Sequence, residues 1–205
     1  MFSIEKASKI QEVFSKFISK TSEFKKVEVI AGVDAAYING LGIGAAVAID
    51  YFTLKPLENA FSILKVNIPY IPGFLAFREL PVMLKALKNL FLNPDVIIVD
   101  GHGLAHPRKF GLACHLGFIL NKPTIGVAKN PLYGKEKGNF LVDEEPIGYI
   151  LKLNKKKFYV SVGNKISLED SIKIVKHCSL KGFPEPLKLA HKEASRKKRE
   201  LMLKC

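Results

Sequence analysis

The fold is decided by the stretch Pro94-Asp95-Val96-Ile97-Ile98-Val99-Asp100-Gly101-His102-Gly103, which lies near the middle of the 205-residue chain. Its apolar, mostly β-branched run, bounded by turn-forming residues, predicts a strand that is buried on both faces. Asp100 stands where this strand ends, and open α/β sheets bind their ligands at the carboxyl ends of parallel strands. An aspartate that merely caps the following loop is the alternative, which the rest of the chain must decide.

The composition predicts a basic protein with a sizeable core. Hydrophobic residues make up 48% of the chain, yet no apolar run approaches the ~18 residues that a membrane span needs. The start of the chain shows no signal peptide, and the three cysteines form no CxxC pair, which favours a reduced, cytoplasmic location without membrane contact. Lys and Arg (32) outnumber Asp and Glu (19), and the net charge of +13 predicts nucleic acid as the partner.

The first half of the predicted elements forms a meander. A helix is expected over residues 4–26, because apolar residues recur there at helical spacing. Three strands with short connections follow, and such connections predict antiparallel pairing. Their predicted ranges are 27–37, 41–52 and 57–66.

The pattern then changes to alternating helices and strands, with helices at 80–92 and 110–120 and strands at 95–100 and 123–128. A right-handed crossover places the fourth strand beside the first, in parallel. A strand pair at 146–152 and 157–162 and two helices, beginning near Ser167 and Pro186, form an appendage. We therefore expect one α/β domain over residues 1–205, with a mixed five-stranded central sheet flanked by helices.

The predicted sheet brings carboxylates together. Asp34 ends the first strand and would lie near Asp100, and two such groups repel each other unless a divalent cation or a shared proton joins them. Oxygen ligands suit Mg²⁺ or Mn²⁺. A third acid, Glu79, lies just before the first crossover helix, although the helix dipole alone would favour an acid there. Three acids in these places resemble the metal site of ribonuclease H-like nucleases.

Blocks of the sequence are also similar to the endonuclease V family and occur in the family's order. They are Gly32-Val33-Asp34, the run PYIPGFLAFRE at 69–79, the run VDGHGLAHPR at 99–108, Gly126-Val127-Ala128-Lys129, and Phe183-Pro184-Glu185-Pro186 with Ala190-His191. The two longest blocks are specific, and together the blocks span most of the chain. Some relatives carry Asp where this chain has His191.

The resemblance implies a ribonuclease H-like fold and a Mg²⁺-dependent endonuclease, with Mn²⁺ able to substitute. The implied substrate is DNA that contains deoxyinosine, the deamination product of adenine. The family cuts the second phosphodiester bond 3′ to the lesion and leaves 3′-hydroxyl and 5′-phosphate ends. An inosine-specific endoribonuclease and a non-catalytic nucleic-acid binder are the alternatives, and a monomer is expected.

The resemblance also assigns roles to residues. Asp34, Glu79, Asp100 and His191 would form or support the metal site, and Lys129 would lie near the scissile phosphate, where an ammonium can neutralise developing charge. For Lys129 the alternative is an ordinary surface lysine. For His191 the alternative is a half-buried helix histidine.

Two prolines flank Tyr70 and Ile71, so the loop from Pro69 to Gly73 has a stiff backbone. The resemblance implies a wedge, led by Tyr70 with Ile71 and Pro72 beside it, that holds the duplex open while a base is extruded. The alternative is a buried connector with Tyr70 in the core. Main-chain groups of the implied lesion pocket could read the N1–H and O6 of hypoxanthine, which adenine presents in the opposite pattern; they belong to Gly73, Leu75 and Gly101.

Other polar residues allow weaker interpretations. A zinc site from His102, His106, Cys114 and His115 is not expected, because their spacing fits no ordinary closed set. Arg108 with Lys109, and the basic run 196–199, are candidates for phosphate contacts. For the basic run, a solvated tail is an equally good interpretation.

Overall fold

The computed structural model describes residues 2–153, 156–179 and 182–203. Cys114 and Cys178 are buried free thiols, whereas Cys205 lies outside the described residues. No helix in the described ranges is long and apolar enough to cross a membrane. The elements follow in the order α1 (Ile4–Ser15), β1 (Val29–Ile38), β2 (Leu41–Asp50), β3 (Pro56–Lys65), α2 (Leu75–Lys88), β4 (Val96–Asp100), α3 (Leu112–Leu120), β5 (Thr124–Ala128), β6 (Lys135–Lys137), β7 (Phe140–Asp143), β8 (Glu145–Leu153), β9 (Lys156–Asn164), α4 (Leu168–Cys178) and α5 (Glu185–Met202).

These strands form one mixed sheet in the order β3-β2-β1-β4-β5-β9-β8-β7-β6. β4 runs parallel to both β1 and β5, and the other neighbours are antiparallel. The prediction that the fourth strand lies beside the first in parallel is confirmed, with Val33 opposite Val99. The antiparallel meander of β1, β2 and β3 is confirmed as well.

The predicted number of five strands was wrong, because the described residues place nine strands in the sheet. The pair that we expected as an appendage is β8 and β9, and β9 joins the free edge of β5, with Val127 opposite Val160. Most of β9 is buried, so its edge needs hydrogen-bond partners from the central sheet. β6 was missed because its residues Lys135–Lys137 are all exposed and carry no hydrophobic pattern.

Helices cover both faces of the sheet. Adjacent residues of a strand point to opposite faces, so Val33 of β1 packs on one side with Leu80 of α2. Ile30 of the same strand packs on the other side with Ile174 of α4 and Leu187 of α5. The mixed α/β sheet flanked by helices is therefore confirmed.

β1 and α5 approach each other most closely at Gly32. A Cβ atom built on Gly32 would lie 2.2 Å from the carbonyl carbon of Pro186, so no side chain fits there. Pro186 stands in the first turn of α5, where a missing N–H is tolerated. This contact seats the first turns of α5 directly on the strand that carries Asp34.

Two helix boundaries differ from the prediction. α1 ends at Ser15 rather than near residue 26, because backbone groups of the following segment bond to distant parts of the chain. The Ser19 N–H, for example, donates to Asn164 Oδ1 at 3.0 Å. α2 begins at Leu75, so Pro81 lies inside the helix and Glu79 belongs to it. Pro81 is exposed, and because it lacks an N–H it leaves the carbonyl four residues earlier without its helical donor.

Candidate active site

Three carboxylates stand where β1, β4 and α2 meet. Because Val33 pairs with Val99, the next residues of the two strands, Asp34 and Asp100, lie side by side. Glu79 reaches the same place from the first turns of α2. Asp34 is only 8% exposed, so the group lies in a hollow rather than on an open surface.

The pKa values of two of these acids are shifted by burial and by their neighbours. Burial, and then the charges of Asp34 and Asp100, raise the pKa of Glu79 to about 8. Burial and the charge of Asp34 also raise the pKa of Asp100, against the opposing effect of Lys129 and His191. The surroundings therefore do not neutralise the charge that these acids would carry together, and they favour the protonated forms of Glu79 and Asp100.

Two further side chains complete the predicted set. His191 Nδ1 lies 2.8 Å from Asp34 Oδ2, and the His191 side chain is 63% exposed, so the half-buried alternative was wrong. Lys129 Nζ lies 3.4 Å from Asp100 Oδ2 and 5.0 Å from the ring centre of Phe183. The fold thus gathers the five residues that we had singled out at one end of the parallel strands.

The cluster is not a finished ligand set. Within residues 2–153, 156–179 and 182–203, no three His, Cys, Asp or Glu side chains are gathered closely enough to hold a metal ion. Its donor chemistry nevertheless fits a hard divalent cation, because buried carboxylate oxygens that repel one another are the ligands such ions prefer.

The proline-flanked loop is exposed. Tyr70 is 66% exposed, so the alternative of a buried connector with this ring in the core was wrong. Pro69 and Pro72 are exposed too, and Ile71 is half-buried. The loop projects an aromatic ring from a stiff backbone immediately before α2, which carries Glu79.

The loop ends in a tightly held peptide group. Gly73 has φ +79°, a conformation that favours glycine. Its carbonyl oxygen accepts hydrogen bonds from Gln11 Nε2 at 3.1 Å, Arg108 Nη2 at 2.9 Å and His106 Nε2 at 3.0 Å. His106 carries its proton on Nε2, because its Nδ1 accepts from the Arg108 N–H at 3.2 Å. We call these three donors and the carbonyl the Gly73 clamp.

The clamp was missed by the sequence analysis. Gln11 is 1% exposed, and its Oε1 accepts from Arg108 Nε at 2.6 Å. A single glutamine in an amphipathic helix is usually a solvent-facing residue, so its type alone does not mark it as buried. Arg108 holds the loop, and Lys109 pairs with Asp143 at 3.4 Å. Both side chains thus have partners within the protein, and their contact with phosphates stays a prediction.

The three residues of the predicted lesion pocket line one small cavity of about 60 Å³, together with Gln11 and His106. They are Gly73, Leu75 and Gly101. Leu75 is the first residue of α2, so its N–H belongs to the first-turn donors that have no partner within the helix. The cavity therefore has apolar walls and main-chain polar groups.

Tyr37, on β1, was also not predicted as a site residue. Its hydroxyl is buried without a hydrogen-bond partner among the described residues, and the guanidinium of Arg78 lies 4.0 Å from its ring centre. Burial, and then the charge of Glu79, raise the pKa of this phenol. An aromatic residue in a strand is ordinary, so only the position beside Glu79 marks it.

The remaining candidates have local partners. His102 Nε2 lies 3.0 Å from the Asn130 carbonyl oxygen, and the His115 ring lies 5.2 Å and 5.0 Å from the rings of Phe77 and Phe110. In the basic run, Arg196 pairs with Glu193 and Glu200, and Lys197 also pairs with Glu200. These pairs all lie within one helix, and the contact of the basic run with phosphates stays a prediction.

Comparison with known proteins gives a consistent result. The model of the Endonuclease V family matches residues 12–192. The Endonuclease V of Dictyoglomus thermophilum is 42% identical over 199 residues, which cover 91% of this chain and 87% of that protein.

Solved structures agree. The Endonuclease V of Streptomyces avermitilis superposes with a TM-score of 0.90 at 32% identity and covers 98% of this chain and 96% of its own. The Ciona intestinalis Endonuclease V, crystallised with a 24mer DNA containing an inosine followed by a ribo-adenosine, gives 0.87 at 29% identity and covers 97% and 98%. The expected ribonuclease H-like fold is confirmed by these neighbours, and the chain belongs to the endonuclease V family of nucleases.

Proposed function

We propose that this protein is a Mg²⁺-dependent DNA repair endonuclease that nicks the second phosphodiester bond 3′ to deoxyinosine, leaving 3′-hydroxyl and 5′-phosphate ends. The observation that carries the proposal is the buried, mutually repelling group of Asp34, Glu79 and Asp100, next to an exposed loop led by Tyr70. The inosine-containing DNA bound by the Ciona relative supports the substrate class. Residues 1–205 would act as a single catalytic domain and as a monomer.

In this proposal, Asp34, Glu79 and Asp100 hold the metal and His191 supports it through Asp34. Burial, and then the charges of neighbouring acids, raise the pKa of Glu79 and of Asp100. This supports the assignment, because a divalent cation would offset the repulsion among the ionised acids. Mn²⁺ would substitute for Mg²⁺, since both prefer oxygen ligands. A bound cation supplies charge neutralisation at the scissile phosphate and makes a nearby water more acidic.

Side chains of the protein perform the remaining steps. The Lys129 ammonium, 3.4 Å from Asp100, neutralises charge that develops on the phosphate as the bond breaks. His191 engages Asp34 through Nδ1, so its Nε2 is the nitrogen left to orient a water or exchange a proton with it. Tyr70, Ile71 and Pro72 wedge into the duplex and hold the lesion strand open.

The Gly73 clamp would determine how the extruded base is read. Its carbonyl oxygen already accepts three hydrogen bonds, so Gly73 can offer a base only its N–H. The first-turn N–H of Leu75, a residue that lines the same cavity, would be a second donor. Hypoxanthine presents the acceptor O6 to such donors, whereas adenine presents an amino group, which would leave buried donors unpaired.

The test is nicking of an end-labelled duplex that contains one deoxyinosine, in Mg²⁺, in Mn²⁺ and in EDTA, with the cut mapped on a sequencing gel. We expect one nick at the second bond 3′ to the lesion, in either metal but not in EDTA. Glu169→Gln, which neutralises an exposed acid of α4, serves as the control for Asp100→Asn. Product from the Asp100→Asn enzyme at the wild-type rate, or salt-sensitive binding without any product, would overturn the proposal.

A second candidate is cleavage of RNA that contains inosine. The observation in its favour is the ribo-adenosine that follows inosine in the strand bound by the Ciona relative. Equal amounts of a deoxyinosine DNA strand and an inosine RNA strand, with different dyes, should be offered in one tube. The ratio of initial rates gives the ratio of kcat/KM directly, and a ratio that favours RNA by tenfold or more would replace the DNA assignment.

A further inference from the structure

A second cavity opens beside Lys129 and shares no lining residue with the small lesion-pocket cavity. Its volume is about 740 Å³, within the range of sites that bind organic ligands. The walls come from the end of β5, from β9 and from the segment that enters α5. Of the site residues already described, Lys129 lines this cavity. We call it the lysine cavity.

The charge of the lysine cavity favours a polyanion. Lys129, Lys156, Lys157 and Lys188 line it, and among the lining residues that the structure describes there is no Asp or Glu. Lys157 and Lys188 have acid partners outside the lining, Glu136 at 3.0 Å and Glu185 at 2.6 Å. Lys156 is exposed, and no ion pair among the described residues includes it. Phosphates placed among these ammonium groups would gain the attraction that dominates nucleic-acid binding.

An aromatic ring lies among these lysines. Phe183 is half-buried, and the centre of its ring lies 5.1 Å from that of Phe158, which is 3% exposed. Lys129 Nζ lies 5.0 Å from the centre of the Phe183 ring. A ring held in this way beside cationic side chains is the arrangement on which single-stranded nucleic acids stack their bases.

We propose that the lysine cavity binds the nucleotides that follow the scissile bond on its 3′ side, with phosphates against the lysines and a base against Phe183. This inference rests on the proposed function. The lesion pocket is lined by Gly101 and His102, which directly follow Asp100. The strand that leaves this pocket in the 3′ direction passes the pair of Asp100 and Lys129 and continues into the cavity that begins at Lys129.

The consequence is a preference for substrates that continue beyond the cut. Binding the far side of the bond would hold the scissile phosphate from both ends, which aligns it with the acids. An acidic peptide would meet the same lysines, but it would not use the face of Phe183.

The experiment combines two substrate lengths with two variants. Deoxyinosine strands carry either six nucleotides or one nucleotide beyond the scissile bond, and kcat/KM is measured for wild type, Phe183→Ala and the double variant Lys156→Ala/Lys157→Ala. We expect the short strand to reduce wild-type kcat/KM about tenfold, the size of one lost base stack. Each variant should lose a similar factor on the long strand and little more on the short one. Lys85→Ala/Lys88→Ala, on the exposed side of α2, is the matched control and should behave as wild type.

Two results would overturn the inference: wild type indifferent to strand length, or variants that lose equal factors on both lengths. A wild-type enzyme that nicks no deoxyinosine strand would contradict the proposed function instead. Binding then tests the cavity alone, by fluorescence anisotropy with a labelled 5′-phosphorylated six-nucleotide strand. We expect binding by wild type and binding about fivefold weaker or worse for each variant, with melting curves to verify folding. Equal binding by all proteins, or displacement by poly-glutamate as effective as by unlabelled strand, would refute the assignment.

Discussion

Two aspartates stand at the two ends of the buried strand β4, and the fold treats them differently. Asp95, just before the strand, accepts hydrogen bonds through Oδ2 from the Glu28 N–H at 2.8 Å and the Val29 N–H at 3.0 Å. Asp100, at the other end, has the Lys129 ammonium at 3.4 Å, and its pKa is raised by burial and by Asp34. The Asp95 carboxylate links the start of β4 to the start of β1. The Asp100 carboxyl lies where burial and a neighbouring acid disfavour its charged form.

The difference separates a structural acid from a candidate catalytic one. An acid that stabilises the fold finds hydrogen-bond donors nearby, and its removal should damage stability first. The charged form of an acid that is buried beside a like charge opposes folding, which makes such an acid a candidate for binding a partner such as a cation. Four experiments can break or sharpen this contrast.

The largest effect is expected from Asp100→Asn. Nicking of a deoxyinosine strand should fall at least about 10²–10³-fold, because an amide cannot replace an anionic ligand beside the phosphate. The raised pKa means that folding favours the neutral carboxyl, so removing the charge should leave the free energy of unfolding at neutral pH unchanged or higher. Gel assays and urea unfolding measure the two quantities. A variant that is active but unstable would reverse the interpretation of Asp100.

Asp95→Ala should give the opposite pattern. Two backbone N–H groups lose their charged acceptor, which should lower the free energy of unfolding by about 1–3 kcal/mol. Nicking by the folded variant should remain within about twofold of wild type, since the surroundings of the acid cluster are unchanged. Asp95→Asn retains an acceptor oxygen and should recover part of the stability. A large loss of kcat with intact stability would show that this acid is not merely structural.

Gln11→Ala tests whether the Gly73 clamp acts on specificity. Arg108 and His106 would still hold the carbonyl, so the loop should loosen without unfolding. We expect the preference for deoxyinosine over adenine, measured as a ratio of kcat/KM, to fall about tenfold because the N–H donors are less well placed. Glu12→Ala, an exposed neighbour on α1, is the control. An unchanged preference with reduced stability would limit Gln11 to a structural role.

His115 extends the contrast to pH, and at neutral pH its effect is the smallest of the four. Burial lowers the pKa of His115 to about 4, below its unfolded value of about 6.5. Stability from the neutral ring is therefore complete above pH 6.5 and is lost as pH falls towards 4, by up to about 1.4 kcal/mol per pH unit. The His115→Phe variant places an aromatic ring that does not titrate beside Phe77 and Phe110. As the pH falls over this interval, its urea midpoint should decrease less steeply than that of wild type. Parallel curves for both proteins would mean that the imidazole is not buried as described.

The parts of the fold that sequence analysis predicted are those with a local signal. The run of β-branched residues before Asp100 required a buried strand, and its crossover required a parallel neighbour, which placed Asp34 beside Asp100. β6 has exposed lysines in place of an alternating pattern. The end of α1 depends on hydrogen bonds such as that between Ser19 and Asn164, which lie far apart in sequence.

The site divides in the same way. Its acids, Lys129 and His191 could be singled out because resemblance marked them, and the sheet order made their meeting plausible. The Gly73 clamp could not be predicted, because Gln11 contacts Arg108 and the loop only after α1 has packed against the body of the protein. Raised pKa values are likewise a product of burial, which no single residue carries in its sequence context.

The tight seat of α5 on β1 has a practical meaning for protein engineering. A single methyl group at position 32 would lie 2.2 Å from the Pro186 backbone. The contact would push the first turn of α5 away from β1. The imidazole of His191 would swing away from Asp34 while no atom of the acid cluster had been altered. A substitution at position 32 would therefore lower activity by displacing a helix, without changing any side chain that faces the substrate.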